Sequence, residues 1–189
     1  GWAATGGHWV GPAEGTGRGA FAFPGLIVGH GVPGRVVARL TIALGGAAPK
    51  VWERDPQRLS GADGYAVLSP EADPRRDYAR ILDVSGAPAL LDTLIGRLAP
   101  QGELVLGGFY AEPLTFTFPP AFLRELRLRV RAEWKPEDLR VVLRLLDESR
   151  LCLDGLITHR ADPEDAPEAY ERAFKDRSCL KMILNWSAS

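Results

Sequence analysis

Short apolar runs alternate along the chain with segments whose apolar residues follow helical spacing. The runs lie at residues 26–28, 51–52, 81–82 and 104–106, and the helical segments at 91–98, 139–146 and 166–173. In the helical segments the apolar residues recur at i, i+3, i+4 and i+7, which is the spacing of one helix face. Short strands that alternate with amphipathic helices indicate βαβ units. The pattern therefore predicts an α/β fold: a Rossmann-type, doubly wound, mostly parallel sheet of about six strands with helices on both faces.

Proline and acidic residues predict where the helices begin. Pro88 precedes the first helical segment, Pro136 opens the second and Pro163 opens the third. Acidic residues follow Pro136 and Pro163, at the positive end of the helix dipole, and the fixed φ of proline suits the first helical turn. These signals predict three separate helices.

Two further segments predict extended structure. Residues 114–118 predict a strand or extended stretch that leads to a turn at Pro119 and Pro120. Residues 126–132 alternate leucine or valine with arginine, and this period of two predicts a strand with one apolar face and one wet face.

Length, charge and cysteine content narrow the function. The chain has 189 residues and a net charge of −1, which suits about one domain and favours neither a nucleic acid nor an anionic membrane as partner. No apolar run approaches the roughly 18 residues of a membrane span. Cys152 and Cys179 fit neither a disulfide framework nor a zinc motif, so the cytoplasm is the expected location.

A glycine motif carries the clearest chemical signal. Its residues are Gly29, His30, Gly31, Val32, Pro33 and Gly34. This G-x-G-x-x-G follows an apolar run and opens a helical segment at 35–44, as in a dinucleotide-binding turn. Gly29 permits the tight turn, Gly31 lets the backbone approach a pyrophosphate, and Gly34 lets the helix pack close to the strand. The phosphates would lie on the N–H groups at the helix start.

An acidic residue ends the second predicted strand. Glu53 lies nineteen residues beyond Gly34. A carboxylate there accepts hydrogen bonds from ribose hydroxyls and repels a 2′-phosphate, which favours NAD over NADP. Arg54 follows directly and could pair with that phosphate, so NADP is the less favoured alternative.

The sequence shows no obvious catalytic group. His8, His30 and His159 have no metal-ligand partners at suitable spacing, so no metal site is predicted. No tyrosine is followed four residues later by lysine, and there is neither a nucleophile elbow nor a phosphate-loop lysine. The catalytic residues are therefore unassigned, and the His30 side chain is expected to line the phosphate site.

Several segments resemble the medium-chain dehydrogenases of the zinc alcohol dehydrogenase type. They are residues 97–108, 156–160, 168–170 and 180–184. Residues 26–31, 51–53, 73–78, 116–122 and 132–134 look more specifically like the branch that acts on hydroxyethyl bacteriochlorophyllides. The similarity runs from about Gly25 to Trp186, whereas the Gly-rich stretch before it departs from the family.

This resemblance implies an NAD-dependent oxidation of a tetrapyrrole's hydroxyethyl group to acetyl. It assigns residues 1–24 to a lead-in left from an inter-domain helix and residues 25–189 to the NAD-binding domain, with the N-terminal catalytic domain absent from this chain. Cofactor roles carry over to Gly29, Gly31, Gly34 and Glu53. Ser85 and Gly86, within 83–86, would border the adenine and ribose, and Gly107, Gly108 and Phe109 the nicotinamide. The resemblance also implies a homodimer through the strand at 124–132.

Two other functions stay open. The absence of a catalytic group also suits a stand-alone NAD(H)-binding or redox-sensing module. A methyltransferase also uses a Gly-rich turn, but Phe23, Pro24 and Gly25 stand before the strand where an acid is usual. The chain begins with Gly1 and its single methionine is Met182, so it is expected to be the back portion of a longer dehydrogenase.

Overall fold

A computed structural model describes residues 23–186 of the chain. The predicted Gly-rich lead-in, residues 1–24, lies outside the described residues except for its last two positions. Residues 187–189 also lie outside them.

The described chain forms eight strands and five α-helices. The strands are β1 (Leu26–Val28), β2 (Lys50–Trp52), β3 (Ala66–Leu68), β4 (Tyr78–Asp83), β5 (Leu98–Leu106), β6 (Arg127–Val130), β7 (His159–Ala161) and β8 (Met182–Leu184). The helices are α1 (Val32–Ala43), α2 (Leu91–Arg97), α3 (Phe118–Leu123), α4 (Pro136–Asp147) and α5 (Ala166–Lys175). Short 3-10 turns at Pro56–Arg58, Pro70–Ala72, Pro88–Leu90 and Pro163–Asp165 complete the set.

Six strands form one parallel sheet in the order β3-β2-β1-β4-β5-β6. This order confirms the predicted Rossmann-type fold. The chain runs outward from β1 to β3 and then returns to β4 on the other side of β1. In such sheets a crevice opens at the carboxyl ends of the two strands where the order reverses, and ligands bind there. Here those strands are β1 and β4.

The side chains of β1 alternate between two cores, as the strand period requires. On one face Ile27 packs with α1 in a cluster that contains Val37, Ala38, Val51, Leu82 and Val105. On the other face Leu26 and Val28 pack with α2 in a cluster that includes Ile81, Leu91, Leu94, Ile95 and Leu104. Burying each large aliphatic side chain contributes about 1.5–3 kcal/mol, so the helices are held on both faces of the sheet, as predicted.

A buried carboxylate joins β2 to the start of β4. Lys50 Nζ, Trp52 Nε1 and Tyr78 Oη donate hydrogen bonds to the carboxylate of Asp73 at 2.8, 2.9 and 2.6 Å. The Arg97 guanidinium also donates to the Asp73 carbonyl oxygen and lies over the Trp52 ring. Burial alone would raise the pKa of Asp73, but the hydrogen bonds outweigh it and lower that pKa to about 2. The charge is therefore retained inside the protein because it is fully bonded.

A second small sheet lies outside the predicted six strands. In it β7 and β8 pair in parallel, with His159 opposite Met182, and α5 connects the two strands. Neither β8 nor β3 is predicted as a strand from the sequence pattern.

Two expectations about extended segments need correction. Pro119 and Pro120 lie inside α3 rather than in a turn, because proline is accepted in the first turn of a helix. The strand predicted at 126–132 exists as β6, but it is exposed on both faces and not on one. Leu128 and Val130, which lie on the face that the sequence predicts to be covered, are 43 % and 73 % exposed.

Among the described helices, none is both long and apolar enough to cross a membrane.

A candidate dinucleotide site at the carboxyl ends of β1, β2 and β4

A cavity of about 360 Å³ opens where the sheet order reverses. Its lining comes from the glycine turn, the ends of β2 and β4, and two more distant segments: Gly29, Gly31, Val32, Pro33, Glu53, Arg58, Val84, Ser85 and Leu180. The cavity therefore lies at the place where this topology binds ligands.

At two positions of the motif, the backbone of the folded protein leaves no room for a side chain. Gly29 has a φ of +100°, and a Cβ on it would lie 3.2 Å from Ser85 Cα. A Cβ on Gly34 would lie 1.9 Å from the carbonyl oxygen of Gly29, which is far inside van der Waals contact. Helix α1 thus approaches β1 as closely as the motif predicts.

Gly31 differs from these two glycines, because neither its backbone conformation nor its packing within the protein excludes a side chain. Its backbone is extended, with φ −75° and ψ −172°, and a Cβ there would meet only Pro33 Cδ, at 3.8 Å. The space in front of Gly31 belongs to the cavity. Gly31 is also the N-cap of α1, whose start has no side-chain cap and no acidic residue in its first turn. This open cradle at a helix N-terminus fits a phosphate group.

The Glu53 carboxylate is anchored by three backbone N–H groups. Oε2 accepts from His30 at 2.9 Å, and Oε1 accepts from Arg54 and Asp55 at 2.8 and 2.9 Å. A carboxylate offers about four acceptor positions, so one is left to face the cavity. Glu53 therefore both joins the glycine turn to the end of β2 and places a carboxylate at the cavity wall.

The two arginines near Glu53 lie in different surroundings. Arg54, the predicted site residue, directs Nη2 to Glu71 at 3.3 Å in an exposed ion pair, and it is not among the residues that line the cavity. Arg58 does line the cavity, and its Nε donates to the Arg177 carbonyl oxygen at 3.1 Å.

The His30 ring does not line the cavity, in contrast to the place that the sequence predicts for it. His30 is fully buried, with Nδ1 at 2.5 Å from the Arg58 carbonyl oxygen and Nε2 at 2.8 Å from Tyr65 Oη. The ring points away from the cavity because these partners hold it beneath the turn. Burial lowers the pKa of His30, and the nearby Arg35 charge acts in the same direction.

The turn after β4 is organised by Asp83. Its Oδ1 accepts from the Ser85 N–H at 2.9 Å and from Ser85 Oγ at 2.6 Å, and its Oδ2 accepts from Tyr110 Oη at 2.7 Å. Burial and this bond raise the pKa of Tyr110. Ser85 is thereby held at the cavity wall.

The other predicted residues at this edge lie beside the cavity rather than in its lining. The N–H groups of Gly107 and Gly108 both donate to the Asp83 carbonyl oxygen, at 2.8 and 3.1 Å. A Cβ on Gly108 would lie 2.8 Å from the Gly86 nitrogen, so these glycines serve close backbone packing. The Phe109 side chain is 91 % exposed.

Sequence analysis missed Arg58 and Leu180. Arg58 follows Glu53 by five residues, within a 3-10 turn that has no periodic pattern. Leu180 comes from the segment after α5. No local signal marks it, because only long-range folding brings it to the cavity.

A search of the described residues finds no group of three or more histidine, cysteine, aspartate or glutamate side chains that could hold a metal ion.

Comparison with known proteins gives two close relatives. The chain is 59 % identical over 165 residues to 2-desacetyl-2-hydroxyethyl bacteriochlorophyllide A dehydrogenase of Rhodobacter capsulatus, covering 87 % of this chain and 52 % of that protein. It is 54 % identical over 166 residues to the protein of the same name from Cereibacter sphaeroides, covering 88 % and 52 %. The chain therefore spans about half the length of these curated relatives.

The fold also matches solved alcohol dehydrogenases. An alcohol dehydrogenase from Escherichia coli CFT073, solved in complex with NADH, superposes with a TM-score of 0.73 at 22 % identity, covering 85 % of this chain and 51 % of that one. No protein-family model matches the chain. Over the part that they share, the chain is similar in sequence to these two dehydrogenases, and it shares its fold with a solved alcohol dehydrogenase.

Proposed function

We propose that this chain is the cofactor-binding part of a dehydrogenase that oxidises the hydroxyethyl group of a bacteriochlorophyllide to an acetyl group. The observation that carries the proposal is the open cradle at Gly31, where a cavity meets the uncapped start of α1. The substrate class is inferred from the names of the two relatives above 50 % identity.

The cavity suits a dinucleotide in both shape and charge. The N–H groups at the start of α1 would receive the pyrophosphate, and the Glu53 carboxylate would receive a ribose hydroxyl. Ser85, held by Asp83, would border the adenosine end. NAD, when bound, accepts the hydride that the alcohol carbon loses, while the hydroxyl proton goes to a base.

NAD is the proposed cofactor rather than NADP. Glu53 presents negative charge at the end of β2 and would repel a 2′-phosphate. Arg54 could have favoured the phosphate, but its ion pair with Glu71 directs its guanidinium elsewhere. Arg58 is a cation that does line the cavity.

The proposal places the catalytic residues and most of the substrate pocket in a further, N-terminal domain of the dehydrogenase. An apolar groove of about 300 Å³ between α5 and β8 supports this assignment. Its lining includes Tyr170 and Phe174, which are 60 % and 85 % exposed. Such exposed apolar surface is typical of a face that packs against further protein.

The proposal also includes a homodimer through the strand at 124–132 and a cytoplasmic location. The outermost strand β6 supports the dimer, because an edge strand can pair with a second copy. The proposed location rests on the cysteine content, which suits a reducing compartment.

Titration of the full 189-residue chain with NADH, followed by nucleotide fluorescence and calorimetry, tests the proposal. We expect saturable binding of NADH and no oxidation of a hydroxyethyl bacteriochlorophyllide by the chain alone. Addition of the N-terminal half of a curated relative should restore turnover. Lack of NADH binding at millimolar concentration would refute the cofactor role. Binding without restored turnover would favour a stand-alone redox-sensing module.

A further inference from the structure

His30 has a hydrogen-bond partner for each of its polar groups. Its backbone N–H donates to Glu53, its carbonyl oxygen accepts from Arg35 Nε at 3.0 Å, and its ring bonds Arg58 and Tyr65. A carbonyl oxygen can only accept, so Nδ1 carries the proton towards Arg58. Nε2 of the neutral ring then accepts from the Tyr65 hydroxyl.

These bonds link two charged residues of the cavity wall, Glu53 by its carboxylate and Arg58 by its backbone carbonyl oxygen, to one residue. Glu53 is attached through the His30 backbone and Arg58 through the His30 ring. Glu53 ends a strand of the central sheet, whereas Arg58 lies in a 3-10 turn outside the sheet. Arg58 therefore depends more strongly on side-chain bonds for its place.

Within its own turn the Arg58 N–H donates to the Asp55 carbonyl oxygen at 2.9 Å, and the Arg58 carbonyl oxygen accepts from two side chains outside the turn, those of His30 and Arg35. Arg35 Nη2 also donates to the Arg58 carbonyl oxygen, but over 3.4 Å, and its bond to Ser60 is shorter at 2.8 Å. The 2.5 Å bond from His30 Nδ1 is thus the shortest contact made to the Arg58 backbone.

We propose that His30 is a positioning residue: its Nδ1–H bond to the Arg58 carbonyl oxygen holds the backbone of the Arg58 turn, so that the guanidinium, itself bonded through Nε to the Arg177 carbonyl oxygen, lies at the wall of the dinucleotide cavity. This inference rests on the proposed cofactor role of that cavity. A guanidinium held there attracts the anionic part of the cofactor, and a less ordered one loses part of that attraction to side-chain entropy.

Two amide substitutions separate the two ring bonds. His30→Asn places an N–H donor near the Nδ1 position and loses the bond to Tyr65. His30→Gln places an acceptor near the Nε2 position and loses the bond to Arg58. In NADH titrations of the full chain, we expect His30→Asn to bind within about threefold of the unmodified chain and His30→Gln to bind about tenfold more weakly.

The double variant with Arg58→Ala gives a readout that a merely structural role would not change. Arg58→Ala should weaken NADH binding by itself, and His30→Gln should then cost no further affinity, since its effect passes through Arg58. An equal loss in both backgrounds, or equal affinities of the Asn and Gln variants, would overturn the inference.

A third variant covers the case in which the His30 variants do not fold. Tyr65→Phe leaves the Arg58 bond in place, so it should keep NADH affinity within about threefold even though it loses a buried hydrogen bond. A tenfold loss in Tyr65→Phe would also overturn the inference. If the unmodified chain does not bind NADH, both the proposed function and this inference fail. If the unmodified chain binds NADH but His30→Gln binds as tightly as His30→Asn, only this inference fails.

Discussion

The backbone N–H of His30 donates a 2.9 Å hydrogen bond to Oε2 of Glu53. This bond joins the turn after β1 to the end of β2, two segments that are twenty-three residues apart. It explains how the phosphate end and the ribose end of the candidate site keep a fixed relation before any ligand binds. Preorganisation of this kind lowers the entropy that binding costs.

Gly31 and Gly34 are expected to respond differently to added side chains. Gly31→Val should fold normally, within about 1 kcal/mol of the unmodified stability, because its backbone is extended and its Cβ meets open space. It should nevertheless weaken NADH binding by about 100-fold or more, since the side chain would occupy the phosphate position. Thermal unfolding and NADH titration measure the two effects.

Gly34→Ala is the matched control. Its Cβ would lie 1.9 Å from the Gly29 carbonyl oxygen, so we expect a loss of about 3 kcal/mol or more in the free energy of unfolding. Unchanged NADH affinity in Gly31→Val would show that the cavity at this turn is not the pyrophosphate site.

Glu53→Ala should shift cofactor preference towards NADP. Removal of the carboxylate removes the repulsion of a 2′-phosphate, so the ratio of the NADPH to the NADH dissociation constant should fall by about tenfold, or about 1.4 kcal/mol. The loss of three hydrogen bonds should also destabilise the fold by about 1–3 kcal/mol.

Arg54→Ala is the control for this shift. Its guanidinium pairs with Glu71 outside the cavity lining, so the same ratio should stay within about twofold. A ratio that is unaltered in Glu53→Ala would mean that Glu53 does not lie on the ribose.

Asp73 is expected to control stability in acid. Its hydrogen bonds lower its pKa to about 2 in the folded protein, below the ordinary range of an aspartate. A lowered pKa means that the charged form stabilises the fold above the ordinary pKa, and that this contribution is lost as the pH falls through about 2. Asp73→Asn should cost about 3 kcal/mol at neutral pH and should flatten the stability profile between pH 5 and about 2. Urea unfolding across this pH range measures both.

Asp77→Asn is the control for Asp73. Asp77 makes an exposed 2.7 Å ion pair with Arg75, so its loss should cost less than about 1 kcal/mol. Equal costs for the two variants would contradict a special role for the buried carboxylate.

If the chain forms the proposed homodimer, a charged substitution in β6 should halve the mass of the particle in solution. Val130 is 73 % exposed on the edge strand β6, and Val130→Lys should convert a dimer into a monomer, because a charge would enter the strand interface. Sedimentation velocity measures the mass, with Leu139→Lys on α4 as the control. A monomeric unmodified chain would refute dimerisation through this strand.

The sequence by itself determined the order of the central elements and the glycine motif. Strand and helix periods and proline at helix starts are local signals, which is why β1, α1, β2, β4 and α2 were predicted. The position of Glu53 after β2 was also readable, since a strand end and its next residue lie together in sequence.

Only the tertiary structure decided where His30 points, which arginine lines the cavity and whether β6 is covered. His30 faces inward because Tyr65 and the Arg58 carbonyl oxygen receive its ring, and neither partner is near it in the sequence. Leu180 reaches the cavity from the end of the chain. All four residues of the outermost strand β6 are exposed. These features depend on contacts between distant segments, which a local pattern of hydrophobic and polar residues does not encode.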